Sequence, residues 1–158
     1  MRRMTPKNYT PLALLAADEE DLSVVSAVLQ DAVAKVGDFA FLGAARRFAF
    51  VANRFVWEEG ASKARGPFSR VRVGVHFDDV ARVRSRGVDL GAKDAVVDLL
   101  SLAFKEAEDG AGTITLTLAG GGAIALDVDA INVTAEDISV PWRTQNRPDH
   151  EASAGAAE

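Results

Sequence analysis

Residues 113–133 read TITLTLAGGGAIALDVDAINV, and this stretch decides the fold. Ile114, Leu116 and Leu118 fall on one side of an extended chain, with Thr113, Thr115 and Thr117 on the other. After Gly120, Gly121 and Gly122 the alternation returns with Ile124, Leu126 and Val128. Side chains of a strand point to its two faces in turn, so a period of two marks a strand with one buried face. Glycine reaches positive φ without steric cost, so the triplet predicts a hairpin turn between antiparallel strands. A phosphate cradle would instead join a strand to a helix N-terminus with GxGxxG or GxxxxGK spacing, and neither is present.

Working outward, residues 108–112 (EDGAG) read as a further turn. Residues 94–104 fit two periods. Val96, Leu99, Leu100 and Ala103 suit a helix, whereas Leu100, Leu102 and Phe104 suit a strand. The favoured reading is a short helical turn leading into a strand that ends near Glu106. Val71, Val73, Val75 and Phe77 alternate with Arg70, Arg72, Gly74 and His76, then Asp78 and Asp79 begin a turn into Ala81, Val83 and Ser85. Phe39 and Phe41, then Phe48 and Phe50, give two more strands about a turn at residues 43–46. Phe55 and Trp57 continue on the opposite parity, which predicts a bulge near Asn53 and Arg54. Residues 60–67 read as a loop, and residues 12–16 (LALLA) as a short buried strand.

One helix stands out. Asp18 is an N-cap, Glu19, Glu20 and Asp21 suit the positive end of a helix dipole, and Leu22, Val25, Leu29, Ala32 and Val33 recur at helical spacing. The pattern predicts an amphipathic helix from Asp18 to Lys35, stopped near Gly37. With about eight strands, this makes an α+β domain with a mainly antiparallel, rolled or partly barrel-like sheet, pleckstrin-homology-like by analogy. The folded body is read as residues 11–142. Residues 1–10 form a loose lead and residues 143–158 a tail, expected to be disordered because it holds no large apolar residue near its end. Trp142 is expected to pin the last strand.

Composition bounds the chemistry. Apolar residues make up 48% and charged residues 26% of 158, enough for one cored domain. The chain has no cysteine, which excludes disulfides, thiolate nucleophiles and thiolate metal sites and fits a reducing cytoplasm. No apolar run approaches the roughly 18 residues of a membrane helix, and the first residues are expected to hold no secretory signal. Setting aside Arg2, Arg3, Lys7, Arg143 and Arg147 with Asp149, Glu151 and Glu158 leaves 13 basic and 20 acidic residues, a body at −7. Nucleic acid is therefore a poor general partner, since its affinity comes largely from neutralising phosphates.

Pairing Val75 with Val83 across a hairpin would put Arg72, His76, Arg82, Arg84 and Arg86 on one outward face, with Arg70 at its end. Such a stripe could hold a carboxylate, a phosphate or an acidic protein segment. The plainer reading is a solvated face blunted against edge pairing. His76 with Asp78 or Asp79 is the alternative, a small hydrolase or isomerase. A metal at that point is nonspecific on one histidine, and no cofactor is expected. His150 sits in the tail, and no GxSxG elbow exists. The paired carboxylates Glu58/Glu59, Asp127/Asp129 and Glu136/Asp137 are read as solvated. The phenylalanines are read as core rather than as a stacking platform.

Several segments together resemble an alphaproteobacterial family catalogued as domain-of-unknown-function family 2948. They are residues 29–33 (LQDAV) with 36–38 (VGD), 46–55 (RRFAFVANRF), 76–78 (HFD) with 83–87 (VRSRG), 115–117 (TLT), 119–124 (AGGGAI), and Arg147, Pro148 and His150. The resemblance implies a small bacterial cytoplasmic protein. It carries no catalytic residue, ligand or cofactor. The composition and the arginines together make a non-enzymatic interaction domain the favoured function.

Overall fold

Alternation and turn residues produce eleven strands and one α-helix among the described residues, 9–56 and 68–144, of a computed structural model. In chain order these are β1 (Ala13–Ala16), α1 (Glu19–Leu29), β2 (Val33–Lys35), β3 (Phe39–Leu42), β4 (Arg47–Phe55), β5 (Phe68–Phe77) and β6 (Val80–Arg86). They continue with β7 (Val96–Glu108), β8 (Ala111–Leu118), β9 (Ala123–Val128), β10 (Val133–Asp137) and β11 (Trp142–Thr144). The pairing is antiparallel throughout, in the order β1-β10-β5-β4-β2-β7-β8-β9-β6. Strand β3 joins β4, and β11 joins β5, beside this path. The sheet is not closed, so the architecture is α+β with an open roll.

The hairpins of β7, β8 and β9 form as the alternation requires. Ile114, Leu116, Leu118, Ile124, Leu126 and Val128 are all buried. Gly120 (φ 88°) and Gly121 (φ 101°) carry the turn, closed by the Leu118 amide donating to the Gly122 carbonyl at 2.8 Å. Asp109 (φ 54°) and Gly110 (φ 83°) make the other two-residue turn, in the doubly left-handed form that matches strand twist. Strand β7 settles the ambiguous residues in favour of a strand from Val96. Its register shifts between Leu99 and Ser101, a bulge that puts both Leu99 and Leu102 inside. An inward spacing of three imitates a helix, and this is why two periods fitted. The helical turn expected within residues 94–104 does not form; the short turn bonds lie ahead of the strand, from the Ala92 amide to the Asp89 carbonyl and from the Ala95 amide to the Ala92 carbonyl.

Helix α1 begins where expected. Asp18 is extended (φ −147°), and its carboxylate accepts from the Asp21 amide at 2.8 Å. It buries Leu22, Val25 and Leu29 against β7 and β1. It ends at Leu29, six residues short of Lys35. Asp31 turns left-handed (φ 65°), and the chain exchanges bonds with Leu99, amide to carbonyl at 2.8 Å in both directions. Sheet pairing with β7 thus captures residues 31–35 from the helix. Burial of each large apolar side chain of this core stabilises by roughly 1.5–3 kcal/mol.

Three further expectations change. Strand β4 has no bulge against β5, since the register runs unbroken from Phe48↔Phe77 to Phe55↔Arg70. Arg54 instead holds the inward parity of Phe48, Phe50 and Ala52. Among the described residues, strand β1 is an edge strand rather than a buried one, with Leu15 67% exposed and only Ala16 of its four residues fully covered. Arg143 and Thr144 belong to β11, opposite Ser69 and Phe68, so the body reaches past residue 142. Trp142 pairs with Arg70 in that strand. Trp57, the expected loop at 60–67, the first eight residues and the tail from 145 with His150 lie outside the described residues.

Candidate functional site

Strong alternation in β8 and β9 sends every large side chain inward and leaves small ones outside. Thr113, Thr115 and Thr117 lie opposite Asp127, Ala125 and Ala123 on β9. On one flank, β7 places Lys105, Ala103 and Ser101 opposite the threonines. On the other, β6 places Arg82, Arg84 and Arg86 opposite Asp127, Ala125 and Ala123. The outcome is a low platform of Thr, Ala and Ser with a row of three guanidinium groups along its terminal strand.

Asp127 is the carboxylate within that row. It accepts from Arg82 Nε at 3.0 Å, Arg84 Nη2 at 2.5 Å and Thr113 Oγ1 at 2.9 Å. The Arg84 hydrogen bond, aided by Thr113 and Arg82 against the cost of partial burial, holds the Asp127 carboxyl below its ordinary value. Both arginines stay open to solvent, at 67% and 48% exposure. Arg86 has no ion pair among the described residues. Three cations thus face one carboxylate, and the row is net positive.

The expected stripe does not form as one face. Val75 pairs with Phe50 and Ala135, not with Val83. Both edges of β5 are taken, by β4 on one side and by β10 and β11 on the other. Asp79 (φ 62°) turns the chain away, and the Val80 amide bonds the Arg46 carbonyl at 2.9 Å. Strand β6 therefore joins β9 in the other half of the roll. Arg82, Arg84 and Arg86 stay together, while Arg72 and His76 remain on β5. Arg70 is buried, with its guanidinium 5.6 Å from the Phe55 ring centre and Nη1 on the Asn53 carbonyl.

His76 and Asp78 do converge, at the corner where β5 ends. His76 Nδ1 lies 3.2 Å from Asp78 Oδ2, and Arg47 Nε donates to Asp78 Oδ1 at 2.7 Å. Burial pushes the Asp78 carboxyl up, but Arg47, with His76, outweighs it and the net shift is downward. Asp79 is not turned to His76, since its carboxylate accepts from Asn132 Nδ2 at 3.3 Å. Arg46 pairs with Asp129 at 2.8 Å beside it. Among the described residues no hydroxyl is hydrogen-bonded to His76, and no three His, Asp or Glu side chains are grouped to hold a metal ion.

Sequence reasoning read Asp137 as solvated and Arg54 as lying near a bulge, and the structure instead buries the two together. Both side chains are 0% exposed, joined by Nε to Oδ1 and Nη2 to Oδ2, each at 2.9 Å. Tyr9 Oη and the Leu12 amide also donate to Asp137 Oδ2, each at 2.8 Å. Burial raises the Asp137 carboxyl, but the bonds from Arg54, Leu12 and Tyr9 outweigh it and hold it below its ordinary value. The signal was present, as Arg54 continues the inward parity of Phe48, Phe50 and Ala52. This pair ties the start of the chain, β4 and β10 together.

A family model described as a protein of unknown function (DUF2948) matches residues 12–150. The chain belongs to the DUF2948 family. The match spans both halves of the roll, including the β6 row and the His76 corner. No curated protein and no solved structure matches this DUF2948 chain.

Proposed function

We propose that this DUF2948 protein is a non-enzymatic interaction domain that docks an acidic protein segment through the arginine row of β6. The observation that carries this reading is the charge balance of the row, in which Arg82 and Arg84 share the single carboxylate of Asp127 and Arg86 has no ion pair among the described residues. Guanidinium groups pair readily with carboxylates, and their partial exposure leaves donors available. The small residues beside them let a partner lie close to the sheet. The row spans only Arg82 to Arg86 on a body of negative balance, so its length matches a short acidic segment rather than a long polyphosphate.

The test is binding of a fluorescent hexaglutamate peptide, read by anisotropy at low salt. The R82Q/R84Q/R86Q protein should keep its circular dichroism and lose at least about tenfold in affinity, with binding weakened by salt. Equal affinity of the two folded proteins would refute the reading. Inorganic phosphate competing at the same site would shift it toward a small anionic ligand.

The approach of His76 to Asp78 at 3.2 Å favours one second reading, a small hydrolase or isomerase with His76 as the base. In any activity found for the protein, H76Q should then abolish turnover, and full retention would remove this alternative.

A further inference from the structure

Resting on the reading of β6 as the docking element, we propose that the acidic segment binds by adding a β-strand to the free edge of β6. Its acidic side chains would stand at every second residue, with apolar side chains between them. Among the described residues, strand β6 ends the sheet order and pairs only with β9, and residues 81–86 make no backbone hydrogen bond to any other strand. Strand β3 pairs only with β4 among the described residues, so its outer edge is free as well. These edges start from one corner, where the Val80 amide meets the Arg46 carbonyl. At the far end, the chain after β6 returns to the turn before β3, with the Gly37 amide on Lys93 and the Val36 amide on Ala95. Among the described residues, two unpaired strand edges thus frame one opening in the roll.

Exposure on the core-facing side of both edges points to a missing neighbour. Val83 and Ser85 share the parity of Leu126 and Ile124, which are buried, yet Val83 is only half-buried and Ser85 is exposed. Phe41 shares a face with buried Phe48 and is 41% exposed. A strand added to β6 would lie about 4.8 Å away, with cross-strand Cβ atoms about 5 Å apart. Residues opposite Arg82, Arg84 and Arg86 would then point outward, where carboxylates complete the charge row. The residues between them would lie beside Val83 and Ser85 and face the opening toward Phe41, where apolar groups leave water. A second copy of β6 is a poor occupant, because it would set arginines against arginines.

Three peptides of equal length test this, each titrated by anisotropy with amide hydrogen exchange of the whole protein in parallel. One alternates Glu and Val, one has the same composition with the glutamates contiguous, and one is the alternating peptide N-methylated at every second residue. The alternating peptide should bind about tenfold tighter than the block peptide, and the N-methylated peptide, made once with the Glu amides methylated and once with the Val amides, should lose that advantage in at least one form. Exchange should slow at residues 81–86 and stay unchanged in β1. R86E should weaken the alternating peptide while leaving the protein folded. Equal binding of all three peptides, with no protection in β6, would overturn strand addition and leave surface docking standing. Failure of every acidic peptide to bind would overturn both.

Discussion

Two arginine–aspartate clusters, at opposite halves of the roll, use the same chemical groups for different ends. Arg54 and Asp137 are 0% exposed and meet in a two-bonded pair, whereas Arg82 and Arg84 share Asp127 at 67% and 48% exposure. In the first cluster two bonds join the guanidinium to the carboxylate, and Tyr9 and the Leu12 amide also donate to it. In the second, one carboxylate serves two guanidinium groups, and Arg86 stands beside them without an ion pair among the described residues. Burial therefore separates a clamp from a surface. Removing half of a buried pair strands a charge in a poorly solvated place, while removing half of an exposed pair leaves water to replace it.

The largest effect is expected from breaking the clamp. Arg54→Ala should cost about 3–5 kcal/mol in urea unfolding, because it leaves the Asp137 carboxylate buried and uncompensated. The paired change Arg54→Met with Asp137→Leu should recover part of that loss, the remainder being the acceptor lost to the Tyr9 hydroxyl and the Leu12 amide. A double variant as unstable as the single one would mean that the stranded charge is not what sets the cost.

Acid should act next. Asp78, Asp127 and Asp137 are all held below their ordinary value of 3.8, so their folded-state carboxyls give up protons more readily than unfolded ones. Their stabilisation is fully present above the unfolded value and disappears as pH falls through the folded values. Stability should stay level from neutral pH toward about 5 and fall steeply below about 4. Urea midpoints across that range check the slope, which should be shallower in the Arg54→Met/Asp137→Leu protein.

Tyr9→Phe removes one donor to Asp137 and should cost about 1–2 kcal/mol, again read from urea midpoints. The exposed cluster should give the smallest stability effects. Asp127→Asn should cost about 1 kcal/mol or less, and Arg86→Glu should change stability by no more than about 0.5 kcal/mol. Arg86→Glu would nevertheless produce the larger loss of peptide affinity. A change that moves binding without moving stability sharpens the contrast between the two clusters.

How much could be read beforehand follows from the range of each signal. The β8–β9 hairpin, the alternation of Val71, Val73, Val75 and Phe77, and the Asp18 cap each depend on residues within a few positions of one another. Leu99 and Leu102 misled because a bulge moves the inward parity by one residue, so the spacing resembled a helix. The end of α1 was overrun because Ala32 and Val33 fit a helix by themselves but pair with β7 in the fold. The arginine row was half legible. Arg82, Arg84 and Arg86 share a face by strand periodicity alone, but joining them to Arg72 and His76 required β5 and β6 to be paired neighbours. His76 and Asp78 came together although β5 ends between them, through a turn whose geometry is not written in the alternation.

Local order alone determined that this chain builds antiparallel strands with small residues outside and aliphatic ones inside, since alternation and positive-φ turns act between near neighbours. Which strands sit side by side was decided only by tertiary packing. Residues 54 and 137 are joined through a shared core, and β5 was already bordered on both edges, so β6 had to leave it. That choice buried one arginine–aspartate pair and left the other at an open edge.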